Sequence, residues 1–324
     1  MPSHPDFTAA APLSRRSFLR RVMLTGAVGT AVAGGALTAC STLQHSADDG
    51  IRQLRDVARM NADALQDKDI AEFRRSQADI LQAEVVRQCG TFEDGTVPEA
   101  CQTQQSSLGS VSAPADADDA RLLFEAVTSS FGAIKALSGP SAGFGASIST
   151  GIMFALQHVD ADRLSELTVD TGVGPFQGAE LFTSEADVEA LAFGLTSEYA
   201  LLDNLTTLHA RSTDPEERAA IAAAQKAHRL IRDAALTSFG LQPKKKKLQV
   251  TAPTPAAGYV LIDDMTAEDL ANNAVLVWRE VVERANSGDL RIWATRLMSS
   301  AALAAADLAG LDHAVTLANP TPGR

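Results

Sequence analysis

The stretch Ser184–Leu205, SEADVEALAFGLTSEYALLDNL, predicts both the start and the buried face of a long helix. Ser184 is a favourable N-cap residue, and Asp187 three positions later completes a capping box. The leucines that follow recur at helical spacing and form one apolar stripe, made of Leu191, Leu195, Leu202 and Leu205. Because Glu198 lies within this stripe, we expect its carboxylate to point into the protein.

Three further helix starts follow along the chain. Asp214 is followed by Pro at the first helical position, Thr266 and Asp269 form a second capping box, and Ser287-Gly288 precedes a restart near Asp289. The four starts predict helices at about 184–211, 214–240, 266–286 and 289–312. Since a long connection at 241–265 separates the second helix from the third, the sequence predicts a four-helix bundle with one crossover.

Composition favours helices throughout the remaining chain. The 324 residues are 45% hydrophobic but only 5% aromatic, which favours packed helices over a β-sandwich. We therefore expect an all-α protein with an N-terminal helical region at 49–168 and the bundle at 184–313. The glycines at 139–145 predict a break before a helix at 146–158. A net charge of -12 argues against nucleic acid as a partner.

The first 48 residues are expected to be an export signal and a tether. SRRSFLR at 14–20, with the paired Arg15 and Arg16, resembles a twin-arginine signal, and an apolar run follows at 22–39. LTAC at 37–40 resembles the lipobox of bacterial lipoproteins, which implies cleavage before Cys40 and a diacylglycerol on its thiol. The predicted location is the extracytoplasmic face of the cell membrane, with 40–48 as the tether. An uncleaved membrane anchor in which Cys40 is an ordinary thiol is the alternative.

The other two cysteines fit an oxidising compartment. Cys89 and Cys101 are separated by eleven residues rich in turn formers, GTFEDGTVPEA. A disulfide between them is the first interpretation, and two free buried thiols are the alternative. Neither a His nor a third Cys stands at ligand spacing, so a cysteine-based metal site is not expected.

Each of the four C-terminal helices is predicted to direct a polar side chain toward the bundle interior. These side chains are Glu198 on the first helix, Gln225 and His228 on the second, Asn273 on the third and Asp307 on the fourth. Carboxylate-bridged di-iron bundles use this layout, with a Glu from each of two helices and a Glu-x-x-His pair from each of the others. The predicted layout is therefore that of a di-iron site, and the residue at each ligand position can be compared with the ligand that such a site requires.

The ligands that such a site needs are mostly missing. Gln225 is neutral where a carboxylate is required, and Leu276 stands three residues after Asn273 where a His would be needed. We expect a degenerate site without metal, in which Glu198 is hydrogen-bonded to His228 or to an Arg. Metal binding is the alternative, by Glu198, His228 and Asp307 with ligands from the first half such as Glu84 or Glu125.

Several stretches of the last four helices resemble the ferritin-like domain of unknown function found in actinobacterial exported proteins and lipoproteins. These stretches are EYALLDNL at 198–205, AHRLIRDAAL at 227–236, GYVL at 258–261 and RIWATRLMSSAALAAADLAGL at 291–311. The most specific residues are His228-Arg229, Arg232-Asp233 and Gly258-Tyr259. The chain departs from the pattern near Asn273, where an acidic residue is expected. The resemblance covers about 184–312 and implies the bundle, but the family has no established activity.

No motif of an enzyme is present. The sequence has no nucleophile elbow, phosphate loop or dinucleotide fingerprint, so we expect neither catalytic residues nor a cofactor. We expect a lipid-anchored envelope protein whose bundle is a binding or scaffolding module for an envelope protein or a small ligand. A metal-binding ferritin-like protein with iron or manganese chemistry is the alternative, and a pocket for an apolar ligand between the two helical regions is a third interpretation.

Two basic features have more than one interpretation. Arg229 and Arg232 flank His228 and are interpreted either as partners of Asp233 and Asp203 or as an anion site. The run KKKK at 244–247 is either a solvated loop or a contact with anionic headgroups. The tryptophans at 278 and 293 are predicted to pack in the core.

Overall fold

The computed structural model describes residues 46–92, 94–107, 117–168, 175–241, 248–256, 259, 265–310 and 321. Its contacts divide the chain into Met1–Gln44 and His45–Arg324, and every described residue belongs to the second unit. The predicted export signal with Arg15 and Arg16, the predicted lipidation site Cys40 and the lysine run at 244–247 all lie outside the described residues.

Every regular element within these described ranges is a helix, which confirms the all-α prediction. The helices are α1 (Asp49–Ala64), α2 (Lys68–Cys89), α3 (Glu99–Thr103), α4 (Asp119–Ala136), α5 (Gly139–Val159), α6 (Ala161–Leu164), α7 (Glu185–Arg211), α8 (Pro215–Ser238), α9 (Ala267–Arg284) and α10 (Gly288–Leu308). In this part of the chain no helix has both the length and the apolar character of a membrane span.

The predicted capping residues begin the last four helices. Thr266 Oγ1 accepts a hydrogen bond from the N–H of Asp269 at 3.0 Å, and the carboxylate of Asp269 accepts one from the N–H of Thr266 at 3.1 Å. Ser184 and Asp187 form the other capping box. Asp214 begins α8 by accepting from the N–H of Glu216 at 2.9 Å. The starts of these helices follow from local sequence because a cap satisfies backbone donors within its own turn.

Helices α7 to α10 pack as a closed ring of four. Both α7 and α10 pack against α8 and against α9, so that α7 lies diagonally opposite α10. The connections at 212–214 and 285–287 are short, whereas the crossover between α8 and α9 is long. The predicted leucine stripe of α7 is buried in this ring. The contacts therefore agree with the predicted four-helix bundle arrangement.

Helix α5 connects the N-terminal helices to this ring. It packs against α4, α9 and α10, and every residue from Ala142 to Leu156 is buried. The predicted break at 139–145 is wrong, because the helix begins at Gly139 and continues through the glycines. A Cβ atom on Gly143 would overlap the side chain of Glu283. These small residues permit close approach of neighbouring helices, and only Gly139, with φ 52°, uses the left-handed conformation.

A covalent link holds the segment after α2 against the N-terminal helices. The sulfur atoms of Cys89 and Cys101 are 2.12 Å apart, as expected for the predicted disulfide, and they join the end of α2 to α3. The short helix α3 was not predicted from the sequence. Beyond it, the Gln104 carbonyl accepts a hydrogen bond from Arg55 at 2.8 Å, and the N–H of Ser106 donates to Asp56 at 2.9 Å. The disulfide and these bonds together fasten the segment to α1.

Candidate functional site

A buried cluster of three polar side chains joins α7, α8 and α9. Glu198 Oε2 lies 2.9 Å from His228 Nδ1, and Trp278 Nε1 donates a hydrogen bond to Glu198 Oε1 at 2.7 Å. The exposed fractions of these residues are 1%, 0% and 0% respectively. The predicted pair of Glu198 and His228 is therefore present, and Trp278 is a third member that the sequence analysis placed only in the core.

The cluster engages both oxygens of the Glu198 carboxylate. The indole N–H of Trp278 can only donate, so Oε1 is an acceptor, and one proton lies between Oε2 and His228 Nδ1. His228 Nε2 is buried and has no hydrogen-bond partner within the described residues. Gly194 leaves the space for the indole, since a Cβ atom there would lie 2.7 Å from Trp278 Cζ3.

Gln225 is also buried, one turn before His228, but it belongs to a separate set of contacts. Its Nε2 donates to Thr206 Oγ1 at 3.2 Å, and its Oε1 accepts from Arg229 at 3.4 Å. Gln225 is therefore bonded to Thr206 on α7 and to Arg229 on α8. Neither of these hydrogen bonds involves Glu198.

Asn273 and Asp307 do not line the interior, and the prediction that each helix directs a polar side chain inward is wrong for α9 and α10. Both residues are exposed. The buried face of α9 is made of Leu270, Ala271, Ala274, Val275, Trp278, Val281 and Val282. Because Ala271 and Ala274 pack in the core, the buried face is rotated away from Asn273. The larger apolar residues alone do not define this face.

The structure does not bring the proposed ligands of the first half to this cluster. Glu84 on α2 accepts a hydrogen bond from Arg87 at 2.7 Å, and Glu125 on α4 accepts one from Arg121 at 2.9 Å. Within the described residues, no three His, Cys, Asp or Glu side chains are grouped as they would be to hold a metal ion.

Asp187, predicted as part of a capping box, also joins α7 to the connection between α9 and α10. Its carboxylate is fully buried and accepts hydrogen bonds from the N–H groups of Ser184, Asn286 and Ser287. Burial alone would raise the pKa of Asp187. The hydrogen bonds from Ser287 and Thr183 outweigh burial and hold the pKa below its ordinary value.

A second buried polar group, Arg74, lies in the N-terminal half. Its guanidinium donates to Asn61 Oδ1 at 3.1 Å and to Gln77 Oε1, and Gln77 Nε2 in turn donates to the Ile148 carbonyl of α5 at 3.0 Å. Burial lowers the pKa of Arg74 to about 9. This buried group was not predicted from the sequence, although Arg74 and Gln77 continue the helical spacing of Ile70.

A polar cleft opens at the surface next to the buried cluster. It lies between α7, α8 and the crossover and has a volume of about 290 Å³. Its polar lining consists of Tyr199, Asp203, Thr206, Arg229, Arg232 and Tyr259. The phenol of Tyr199 has a raised pKa, mainly because it is partly buried. Tyr199 follows Glu198 and Arg229 follows His228, so the cleft and the buried cluster share two helix segments.

The comparisons with known proteins place a domain of unknown function on this part of the chain. The chain matches no curated protein and no solved structure. A family model of unknown function matches residues that include the buried cluster and the polar cleft. Residues 190–324 are therefore a Domain of unknown function (DUF4439).

Proposed function

We propose that this chain is a lipid-anchored protein of the cell envelope whose C-terminal helices form a ferritin-like bundle that serves as a binding or scaffolding module. The observation that carries the proposal is the buried Glu198, because His228 and Trp278 already occupy both of its carboxylate oxygens. A carboxylate engaged in this way stabilises helix packing and is not open to a substrate. A ligand or partner would then bind at the outer surface of the bundle.

The proposed location rests on the sequence of the first 40 residues. Paired Arg15 and Arg16, an apolar run and Cys40 occur in the order of a twin-arginine signal with a lipobox. Replacing both arginines by Lys is expected to block export, and Cys40→Ser is expected to give an uncleaved or released protein. The measurement is fractionation of the natural host followed by mass spectrometry of the N-terminus. Processed lipoprotein in the membrane fraction from both variants would contradict this assignment.

One observation favours metal binding as a second candidate function. A metal-ligating His usually holds its other ring nitrogen against a carboxylate, which fixes the ring orientation. His228 has this arrangement, with Nδ1 beside Glu198 and a buried Nε2 that has no hydrogen-bond partner in the described part of the chain. Iron or manganese bound at Nε2 would need oxygen ligands from outside the cluster.

Metal analysis separates the two candidates. The chain from Ser41 onward keeps the whole compact unit and is produced in medium supplemented with iron and manganese. Bound metal well below one ion per chain is expected for the binding or scaffolding module. One or two ions per chain, lost in Glu198→Gln but kept in Glu189→Gln, would overturn it in favour of a metal site at this cluster. Glu189 is a matched control because it is exposed on the same helix.

A further inference from the structure

The polar cleft contains both tyrosines of the chain. Tyr199 lies on α7, and Tyr259 lies on the crossover. The Tyr259 hydroxyl accepts a hydrogen bond from the N–H of Ala256 at 3.0 Å, and the N–H of Tyr259 donates to Asp203 Oδ2 at 3.4 Å. The first bond lies within the crossover, and the second joins the crossover to α7. One wall of the cleft therefore presents phenol groups and a carboxylate from two separate segments.

The other wall carries two arginines from α8, whose charges are compensated differently. Arg232 forms an ion pair with Asp233 at 2.7 Å, as one interpretation of the sequence expected. Arg229 makes its hydrogen bond to the neutral amide oxygen of Gln225, at 3.4 Å. Among the described contacts no carboxylate offsets the charge of Arg229, and Asp203 bonds to the crossover.

The two arginines are three residues apart and therefore lie on the same side of α8. A guanidinium binds phosphate or carboxylate oxygens through two parallel N–H bonds, and phenol hydroxyls can donate further bonds. The carboxylate of Asp203 across the cleft repels a second anionic group but accepts a hydrogen bond from a hydroxyl. A ligand that fits both walls thus combines one anionic group with one or more neutral hydroxyls.

We propose that this cleft binds the phosphate of a polyol phosphate, with Arg229 and Arg232 on the phosphate and Asp203 on a hydroxyl. This inference rests on the proposed binding module and names the class of its ligand. The volume of about 290 Å³ admits a phosphate with a small organic group. The same chemistry occurs in soluble sugar or glycerol phosphates and in the headgroup of phosphatidylglycerol.

Calorimetry with glycerol 1-phosphate tests the proposal on the chain from Ser41 onward, with glycerol as the uncharged probe. Glycerol 1-phosphate is expected to bind and glycerol is not. Arg229→Gln is expected to weaken binding about tenfold or more, since hydrogen bonds to charged groups are among the strong ones. Arg218→Gln removes the same charge from an exposed position near the start of α8 and should leave the Kd unchanged.

A second pair of measurements tests the hydroxyl and identifies the source of the phosphate. Asp203→Asn should reduce the preference for glycerol 1-phosphate over inorganic phosphate. Sedimentation with phosphatidylglycerol vesicles is compared with sedimentation with phosphatidylcholine vesicles. Binding to the phosphatidylglycerol vesicles alone assigns the phosphate to a lipid headgroup. Binding to neither kind of vesicle assigns it to a soluble ligand.

Two results would overturn the proposal. The first is no heat of binding for glycerol 1-phosphate at millimolar concentration. The second is equal affinity in Arg229→Gln and Arg218→Gln. Either result leaves the metal content and the membrane fractionation unaffected, so a failure here is distinct from a failure of the proposed envelope module.

Discussion

Replacing Asp187 by Asn is the most direct test of how the last four helices are held together. The carboxylate accepts six hydrogen bonds. Oδ2 accepts from the N–H and hydroxyl groups of Thr183 and Ser184, and Oδ1 accepts from the N–H groups of Asn286 and Ser287. The substitution keeps the shape of the side chain but turns one acceptor oxygen into a donor.

The expected loss follows from the donors that remain. If the amide nitrogen takes the place of Oδ2, it faces the donors of Thr183 and Ser184. If it takes the place of Oδ1, the buried N–H of Ser287 loses its acceptor. A buried donor without a partner costs about 1–3 kcal/mol, and the lost negative charge weakens the bonds that remain. We therefore expect Asp187→Asn to lower the free energy of unfolding by about 2–4 kcal/mol and Tm by roughly 3–7 °C.

The effect should depend on pH with a definite sign. Because the pKa of Asp187 is lower in the folded protein than its ordinary value of 3.8, its contribution is complete above that value. The contribution is lost as the pH falls through the folded pKa. The difference in unfolding free energy between the original chain and Asp187→Asn should therefore shrink below about pH 4.

Urea denaturation followed by circular dichroism at neutral and acidic pH measures both the loss of unfolding free energy and its dependence on pH. Asp269→Asn is the matched control, since Asp269 holds the same position in the other capping box but is exposed. We expect it to cost less than about 1 kcal/mol. If Asp187→Asn is no more destabilising than this control, the reasoning that Asp187 joins α7 to the connection between α9 and α10 is wrong.

Three further perturbations test the packing. Reduction of the disulfide between Cys89 and Cys101 should destabilise the chain by about 3 kcal/mol, because the closed loop restricts the unfolded chain. Thermal unfolding with and without dithiothreitol measures this effect. An unchanged Tm when both thiols are titratable would contradict it. Gly194→Ala should destabilise by about 1–2 kcal/mol and change the near-ultraviolet circular dichroism of Trp278, because the added Cβ meets the indole. Gly132→Ala, where a Cβ meets nothing within 4 Å, should instead stabilise by about 0.5–1 kcal/mol, and equal effects at the two glycines would refute the packing argument.

The features predicted correctly from the sequence are those determined within a few residues. The caps at Thr266 and Asp214 depend on side chains bonding to the next turn, so the starts of the helices could be identified without tertiary structure. The inward direction of Glu198 and His228 followed from the buried stripes of α7 and α8, where large apolar residues mark one face clearly.

The features that the sequence analysis missed depend on packing between distant segments. Trp278 reaches Glu198 across 80 positions, and only the fold shows that Gly194 leaves space for its ring. The glycines of α5 suggested a break because the backbone freedom of glycine disfavours a helix. Their small size, which permits close approach of neighbouring helices, was not considered. Asn273 was placed inside because alanines carry little weight in a hydrophobic pattern, although they fill much of the interior of this protein.

Helix α5 also has a consequence for biosynthesis. Its residues 142–156 are buried partly by α9 and α10, which follow about 125 and about 150 residues later in the chain. At a translation rate of about 5–20 residues per second, α5 waits roughly 7–30 s for these partners. During that interval the nascent polypeptide exposes an uncharged apolar helix. The ribosome-bound chain is therefore expected to depend on a chaperone until α10 has emerged.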